Sequence, residues 1–227
     1  MGTNQKIAIV LGGTGLIGGF LIKRLLDDKR YKTIKLFSRR AIGFEHPKIE
    51  EEVIDLLNLE TQTERFYADE VFCCIGTTNA KTSDKSRYKE IDYGIPVAAA
   101  QLCVANKIET IIVVSALGAD SSSRIFYNRI KGLMEDEVLR LKIAKTHLVQ
   151  PSMIGGDRKE KRLGEYFFKK LMLVFGFLLQ GSLKKYRVIH PDTIAITMVW
   201  LANNPNNKKR IPSHVLKQIA DNATLRN

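Results

Sequence analysis

An apolar run, Ile7-Ala8-Ile9-Val10-Leu11, passes without a linker into Gly12-Gly13-Thr14-Gly15-Leu16-Ile17-Gly18-Gly19, after which Leu21 and Leu25 continue at helical spacing. This is the pattern of a buried strand turning directly into a helix through glycine. Where side chains are missing the backbone can turn with positive φ, and a phosphate can approach the exposed N–H groups at the start of the helix. Gly12, Gly15 and Gly18 are spaced by three, while Gly13, Gly15 and Gly18 satisfy G-x-G-x-x-G, so both registers are open. In either register the turn suits the pyrophosphate of a dinucleotide, held by Gly12, Thr14, Gly15, Leu16, Ile17 and Gly18. An ordinary tight turn between strand and helix is the plain alternative.

Beyond this turn the chain keeps alternating in the same way. Thr33 to Phe37 reads as a second strand and Glu50 to Ile54 as a third. Val71 to Ile75 is a continuous apolar fourth strand, and Thr110 to Val114 a β-branched fifth. Thr146 to Gln150 makes a sixth. A helix carrying Ile91, Ile95, Ala98, Ala99, Leu102 and Ala105 separates the fourth from the fifth. A second helix, capped by the polar turn Gly118 to Ser123, separates the fifth from the sixth. Strand and helix in strict alternation predict an α/β fold, a doubly wound parallel sheet with helices on both faces. The chain of 227 residues suits one such domain, with residues 1–156 forming the nucleotide-binding core and 157–227 a smaller substrate-side excursion and C-terminal elements. There, Pro191-Asp192 opens a helix through Ile194, Met198 and Leu201, and Ile211 to Leu216 reads as a short strand.

Ligands of such sheets bind beyond the carboxyl ends of the strands, so the residues at those ends are the candidate site. Ser38-Arg39-Arg40 closes the second strand. An acidic residue there would accept from a ribose 2′-OH, but two arginines suit a 2′-phosphate, which favours NADP over NAD. Asp55 and Leu56 end the third strand, where an adenine ring would lie, and Gly76-Thr77 end the fourth, where backbone could pass close to the second ribose. Ser115 ends the fifth strand. In the helix beyond it Tyr127 and Lys131, four residues apart, share one face. A phenol is a poor acid or base near neutrality; a lysine one turn away brings positive charge to it, and a serine hydroxyl can orient a carbonyl or alcohol. Ser115, Tyr127 and Lys131 are thus the candidate catalytic set.

Together these segments resemble the short-chain dehydrogenase/reductase superfamily, in particular the atypical branch typified by the Tat-interacting oxidoreductase. The resemblance rests on Gly12 to Gly18, Ser38-Arg39-Arg40, Phe72 to Thr78, Val114 to Ala119, the Tyr127/Lys131 pair and Gln150-Pro151-Ser152-Met153-Ile154. It implies an NADP(H)-binding Rossmann fold, with Pro151, Ser152, Met153 and Ile154 beside the nicotinamide and Lys131 also touching cofactor. It implies hydride transfer to or from a carbonyl or alcohol, with Tyr127 as general acid/base. The alternative within the same branch is a dinucleotide-binding sensor that acts through a protein partner. One departure stands out: larger members of the extended branch usually carry asparagine where Ile91-Asp92 stands.

Composition adds limits. The net charge of +12 is spread over short runs with no basic arm and no nucleic-acid motif, which argues against a nucleic-acid role and for solvated faces. Three cysteines in apolar sequence have neither zinc-ligand spacing nor disulfide density, so no metal is expected and a cytoplasmic location fits. Leu171 to Leu179 is too short for a bilayer, which needs about twenty apolar residues, so no transmembrane segment is expected. The apolar stretch Phe167 to Leu179 offers a homodimer surface, and substrate specificity falls to Asn79 to Ser86 and Asp157 to Lys185.

Overall fold

The structure is a computed structural model that describes residues 5–77, 82–155 and 187–225. Its elements in chain order are β1 (Lys6–Leu11), α1 (Leu16–Asp27), β2 (Tyr31–Ser38), β3 (Ile49–Val53), a 3₁₀ segment (Leu56–Gln62) and β4 (Glu70–Cys73). They continue with α2 (Lys85–Lys89), a π turn (Glu90–Gly94), α3 (Ile95–Ala105), β5 (Thr110–Val114) and α4 (Phe126–Arg140). The last are β6 (Lys145–Gln150), α5 (Pro191–Asn203), β7 (Arg210–Pro212) and α6 (Ser213–Thr224). The strands form one seven-stranded sheet in the order β3-β2-β1-β4-β5-β6-β7, every pair parallel. The chain winds outward from β1 in one direction and then from β4 in the other, so the topological switch point lies between these two strands.

Helices cover both faces, so the central strands have no polar side to display. Ala8 and Val10 of β1 and Ile112 of β5 point to one face, where they meet Leu21 and Leu25 of α1 and Ile194, Met198 and Leu201 of α5. Ile9, Leu11, Val71, Ile111 and Val113 point to the other, against Leu56, Leu59, Ala99, Leu102, Met134 and Val138. The period of two along each strand thus divides one sheet between two cores.

Three sequence expectations need correction. The polar turn Gly118 to Ser123 does not cap α4, which starts at Phe126 with Ile125 at the cap position and no side-chain cap. Asp120 spends its carboxylate within the turn, accepting from the amide and hydroxyl of Ser122. The strand read over Ile211 to Leu216 is β7 only as far as Pro212, and Ser213 then opens α6. Proline cannot continue the ladder, and its fixed φ favours a helix start instead. Finally, the helix through Ile91 and Ile95 is not continuous α. Pro96 has no N–H to give the carbonyl four residues earlier and its ring crowds that carbonyl; a π turn at Glu90–Gly94 absorbs the conflict, with the Ile95 amide reaching back to the Glu90 carbonyl.

Candidate active site

The glycine turn takes the register Gly12, Gly15, Gly18. Gly12 has φ of +83°, and a Cβ there would lie 2.9 Å from the Cys74 carbonyl oxygen. A Cβ on Gly18 would overlap the Gly12 carbonyl outright, so α1 crosses β1 at backbone distance. The Gly15 amide closes the turn on the Gly12 oxygen at 2.9 Å. Gly13 serves packing, since a side chain there would strike Ile22. The start of α1 has no side-chain cap and no acidic residue in its first turn, so its leading amides and dipole are available to an anion. Thr14 and Gly15 are exposed, Leu16 is half-buried, and Ile17 and Gly18 are buried beneath them.

The other residues read as cofactor contacts lie at the neighbouring strand ends. Ser38 is buried with its hydroxyl donating to the Arg40 carbonyl at 2.6 Å, a bond that folds the chain back and leaves Arg39 and Arg40 exposed beyond the carboxyl end of β2. The Ile54 amide donates to the Ser38 carbonyl, which brings the end of β3 alongside. There the Asp55 carboxylate caps the 3₁₀ segment through the Leu57 amide, while Leu56 is buried in the core. Across the switch point, Gly76 is exposed beyond the end of β4 and the Cys74 amide donates to the Leu11 carbonyl, so the β1 and β4 turns lie side by side.

Ser115, Lys131 and Tyr127 converge from β5 and α4. Ser115 is buried, its amide donates to the Val149 carbonyl, and its hydroxyl has no hydrogen-bond partner among the described residues. A buried hydroxyl left unpartnered is what a ligand's polar atom would satisfy. The Lys131 ammonium is buried 3.5 Å from the Val114 carbonyl. Tyr127 lies one turn earlier on α4 and keeps 39% of its surface exposed. Helix α4 reaches this position because Gly132 lets it lie directly on the backbone of Asp120 and Ser121, where any side chain would collide.

One residue of the site escaped sequence reading. Asp92, in the π turn, is wholly buried, with Oδ1 2.9 Å from the Lys131 ammonium. Its Oδ2 accepts from the Thr77 amide at 2.8 Å. The Oδ1 contact is an ion pair and lacks the direction of a good hydrogen bond, so that oxygen retains accepting capacity. The available signal was an aspartate inside an apolar helical pattern, four residues before a proline. Burial is the largest single influence on Lys131 and disfavours its charge, but Asp92, Tyr127 and Cys73 together outweigh it and raise the lysine above its ordinary pKa. The Tyr127 hydroxyl is also raised: lost hydration is the largest influence, Lys131 opposes it, and Asp92 adds to it. Burial pushes the nearby Cys73 thiol up to about 11, so it stays protonated and unreactive.

The Pro151 to Ile154 segment forms a further wall. The Leu117 amide donates to the Pro151 carbonyl at 2.9 Å, which sets the segment against the loop after Ser115. Ser152 donates to the Arg187 carbonyl and shares a 2.9 Å bond with Ser213, Ile154 bridges to Ile189, and Met153 is exposed. The residues from Asp157 to Lys185 assigned to specificity, with Leu171 to Leu179 and the dimer surface at Phe167 to Leu179, lie outside the described residues, as do 79–81 of the Asn79 to Ser86 loop. Among the described residues no cluster of His, Cys, Asp and Glu could hold a metal, and no helix is long and apolar enough to cross a membrane.

Comparison with known proteins agrees with this fold. Residues 8–123 match the family described as NAD dependent epimerase/dehydratase. The chain belongs to that family. Its relatives include the mitochondrial protein FMP52 of Debaryomyces hansenii, 29% identical over 212 residues that cover 87% of this chain and 88% of the relative. Protein HTATIP2 of Rattus norvegicus is 30% identical over 188 residues, 81% of this chain and 76% of that one, which supports the Tat-interacting branch. Among solved structures, UDP-glucose 4-epimerase from Thermotoga maritima with UDP-glucose shares the fold at a TM-score of 0.68 and 12% identity, over 97% of this chain and 84% of that one. The Bordetella bronchiseptica enzyme WbmF in complex with NAD+ does so at 0.67 and 13%, over 99% and 79%.

Proposed function

We propose that the protein is an NADP(H)-dependent oxidoreductase that moves hydride to or from a carbonyl or alcohol, with Tyr127 as general acid/base. The observation that carries this reading is the buried, unpartnered Ser115 hydroxyl next to Val114, whose carbonyl faces the Lys131 ammonium, with Tyr127 one turn earlier on α4. A nicotinamide dinucleotide bound there supplies or accepts the hydride. Gly12, Thr14, Gly15, Leu16, Ile17 and Gly18 would hold its pyrophosphate, and Ser38, Arg39 and Arg40 its 2′-phosphate. Asp55 and Leu56 would flank the adenine, Gly76 and Thr77 the second ribose, and Lys131 with Pro151 to Ile154 the nicotinamide side. Ser115 orients the substrate oxygen and Tyr127 exchanges a proton with it.

NADP rather than NAD rests on two exposed arginines where an acidic residue would favour a 2′-OH. That the Bordetella enzyme is seen with NAD+ makes the preference a point to measure. For compartment we propose a reducing one: Cys73, Cys74 and Cys103 are all free thiols. The fungal relative's name adds the mitochondrion to the cytoplasm as a candidate.

Fluorescence titration tests the assignment. Changing Arg39 and Arg40 to Ala together is expected to weaken NADPH at least tenfold more than NADH, and equal losses would refute the 2′-phosphate role. Tyr127→Phe is expected to bind NADPH as the wild type does and to lose carbonyl reduction across a panel of aldehydes and ketones. Binding without turnover by the wild type over that panel would favour the sensor reading.

A further inference from the structure

The π turn brings a carboxylate to a place where helical geometry alone would not hold it. Asp92 and Lys131 are 0% and 3% exposed, and they meet at 2.9 Å. Two charges taken so completely out of water gain little net stability from each other, because desolvation offsets their attraction. What the pair supplies is geometry. One Asp92 oxygen faces the lysine and the other holds the Thr77 amide, and the Thr77 carbonyl accepts from the Tyr88 hydroxyl at 3.3 Å. The turn after β4, the lysine of α4 and the end of α2 are thereby tied to one carboxylate.

Resting on the reading of Tyr127 as the proton-transfer group, we propose that Asp92 is a positioning residue: it pins the Lys131 ammonium to the turn at Gly76-Thr77 and so sets Tyr127 to work as a proton donor. The groups that bear on Tyr127 are Lys131 on its own helix, Asp92 in the π turn and Tyr88 of α2; Cys73 of β4 feels the same pair, and Ser115 follows β5. Lys131 alone would draw the phenol toward phenolate. Burial is the chief influence holding the phenol neutral, and Asp92 beside the lysine offsets part of its charge. Tyr127 then carries its proton throughout the neutral range and gives it to a ligand oxygen as that oxygen becomes negative, leaving a phenolate that takes up a proton from solvent before the next turnover.

The experiment is a tyrosinate absorbance titration of the whole protein without cofactor, read as the difference from Tyr127→Phe so that Tyr88 and the remaining tyrosines cancel. In the wild type the midpoint of Tyr127 is expected above about 10, the ordinary value; a midpoint a pH unit below it would overturn the proposal with no Asp92 variant needed. In Asp92→Asn the midpoint is expected to fall by at least about one pH unit, a tenfold change. In Asp92→Asn combined with Lys131→Met, a neutral pair, it is expected to climb back. An unchanged midpoint across both variants would likewise overturn the proposal. NADPH titration of the same proteins separates the two readings: no binding anywhere would defeat the cofactor assignment while the tyrosine midpoints still decide the role of Asp92.

Discussion

At the scale of single residues, the site is built from atoms that are missing as much as from atoms that are present. Gly12 is required by its positive φ, and Gly18 by the Gly12 carbonyl that occupies the place of its side chain. Gly18→Ala must therefore push α1 off β1. A cost of about 1–3 kcal/mol is expected from such overpacking, along with NADPH binding weakened at least tenfold, because the amides that would face the pyrophosphate move with the helix. Denaturant unfolding and fluorescence titration read the two effects, and an alanine variant that binds as the wild type does would refute the close approach. The spacing of these glycines was legible in the sequence, but their register was not. Gly13 also satisfies a glycine pattern, and only the packing of Ile22 beneath it shows that it serves the core.

At the scale of elements, the parallel strands were the most legible part, since burial on both faces leaves an unbroken apolar run. Their ends were less so. The 146–150 strand begins one residue earlier in the structure, and within it His147 is buried, with its ring Nδ1 2.8 Å from the Lys208 carbonyl and its Nε2 without a partner among the described residues. Facing a carbonyl, Nδ1 carries the proton, and the buried Nε2 has no acceptor among the described residues for a second one. Burial is the chief reason its pKa lies below the ordinary His value, and Lys209 and Lys145 push the same way. The unfolded chain takes up a proton near pH 6.5 that the folded chain refuses, so stability is full above that pH and declines as pH falls through the window beneath it. Stability should therefore decline as pH falls below about 6.5, the ordinary His value. Urea melts across that window should show it, and His147→Gln should flatten it; an equal slope in the variant would assign the effect elsewhere. The π turn was the least legible element, because its cause is a single proline inside an otherwise good helical pattern.

On the scale of the whole molecule, the two ends of the sheet do different work. At the amino ends of the strands Tyr31 donates to Glu70 at 2.6 Å, Asn203 donates to the Tyr31 hydroxyl, and Lys6 pairs with the other Glu70 oxygen. This network joins β1, β2, β4 and α5 in a closed set of bonds, away from the cleft. The carboxyl ends instead keep an unpartnered hydroxyl and uncapped helix amides. The late elements are fastened through Glu135 of α4, a fully buried carboxylate that accepts from Gln150 at 2.9 Å and from Arg210 of β7 at 2.6 Å. Arg210→Met leaves that carboxylate with Gln150 alone. Because the arginine is itself half-exposed, a loss of about 2 kcal/mol is expected, with β7 and α6 losing hydrogen-exchange protection first. A stability within about 0.5 kcal/mol of wild type would show that β7 is held by its ladder and α6 instead.

The amino-acid sequence by itself determined the alternation of strand and helix, the glycine turn and the residue types at the strand ends. These are local consequences of hydrophobic period and of side-chain size. The register of the glycines, the end of the last strand at Pro212 and the pairing of Asp92 with Lys131 were decided by tertiary structure alone. Each depends on atoms distant in the chain meeting within about 3 Å, and no spacing along a chain encodes that distance until the sheet and its helices have closed around it.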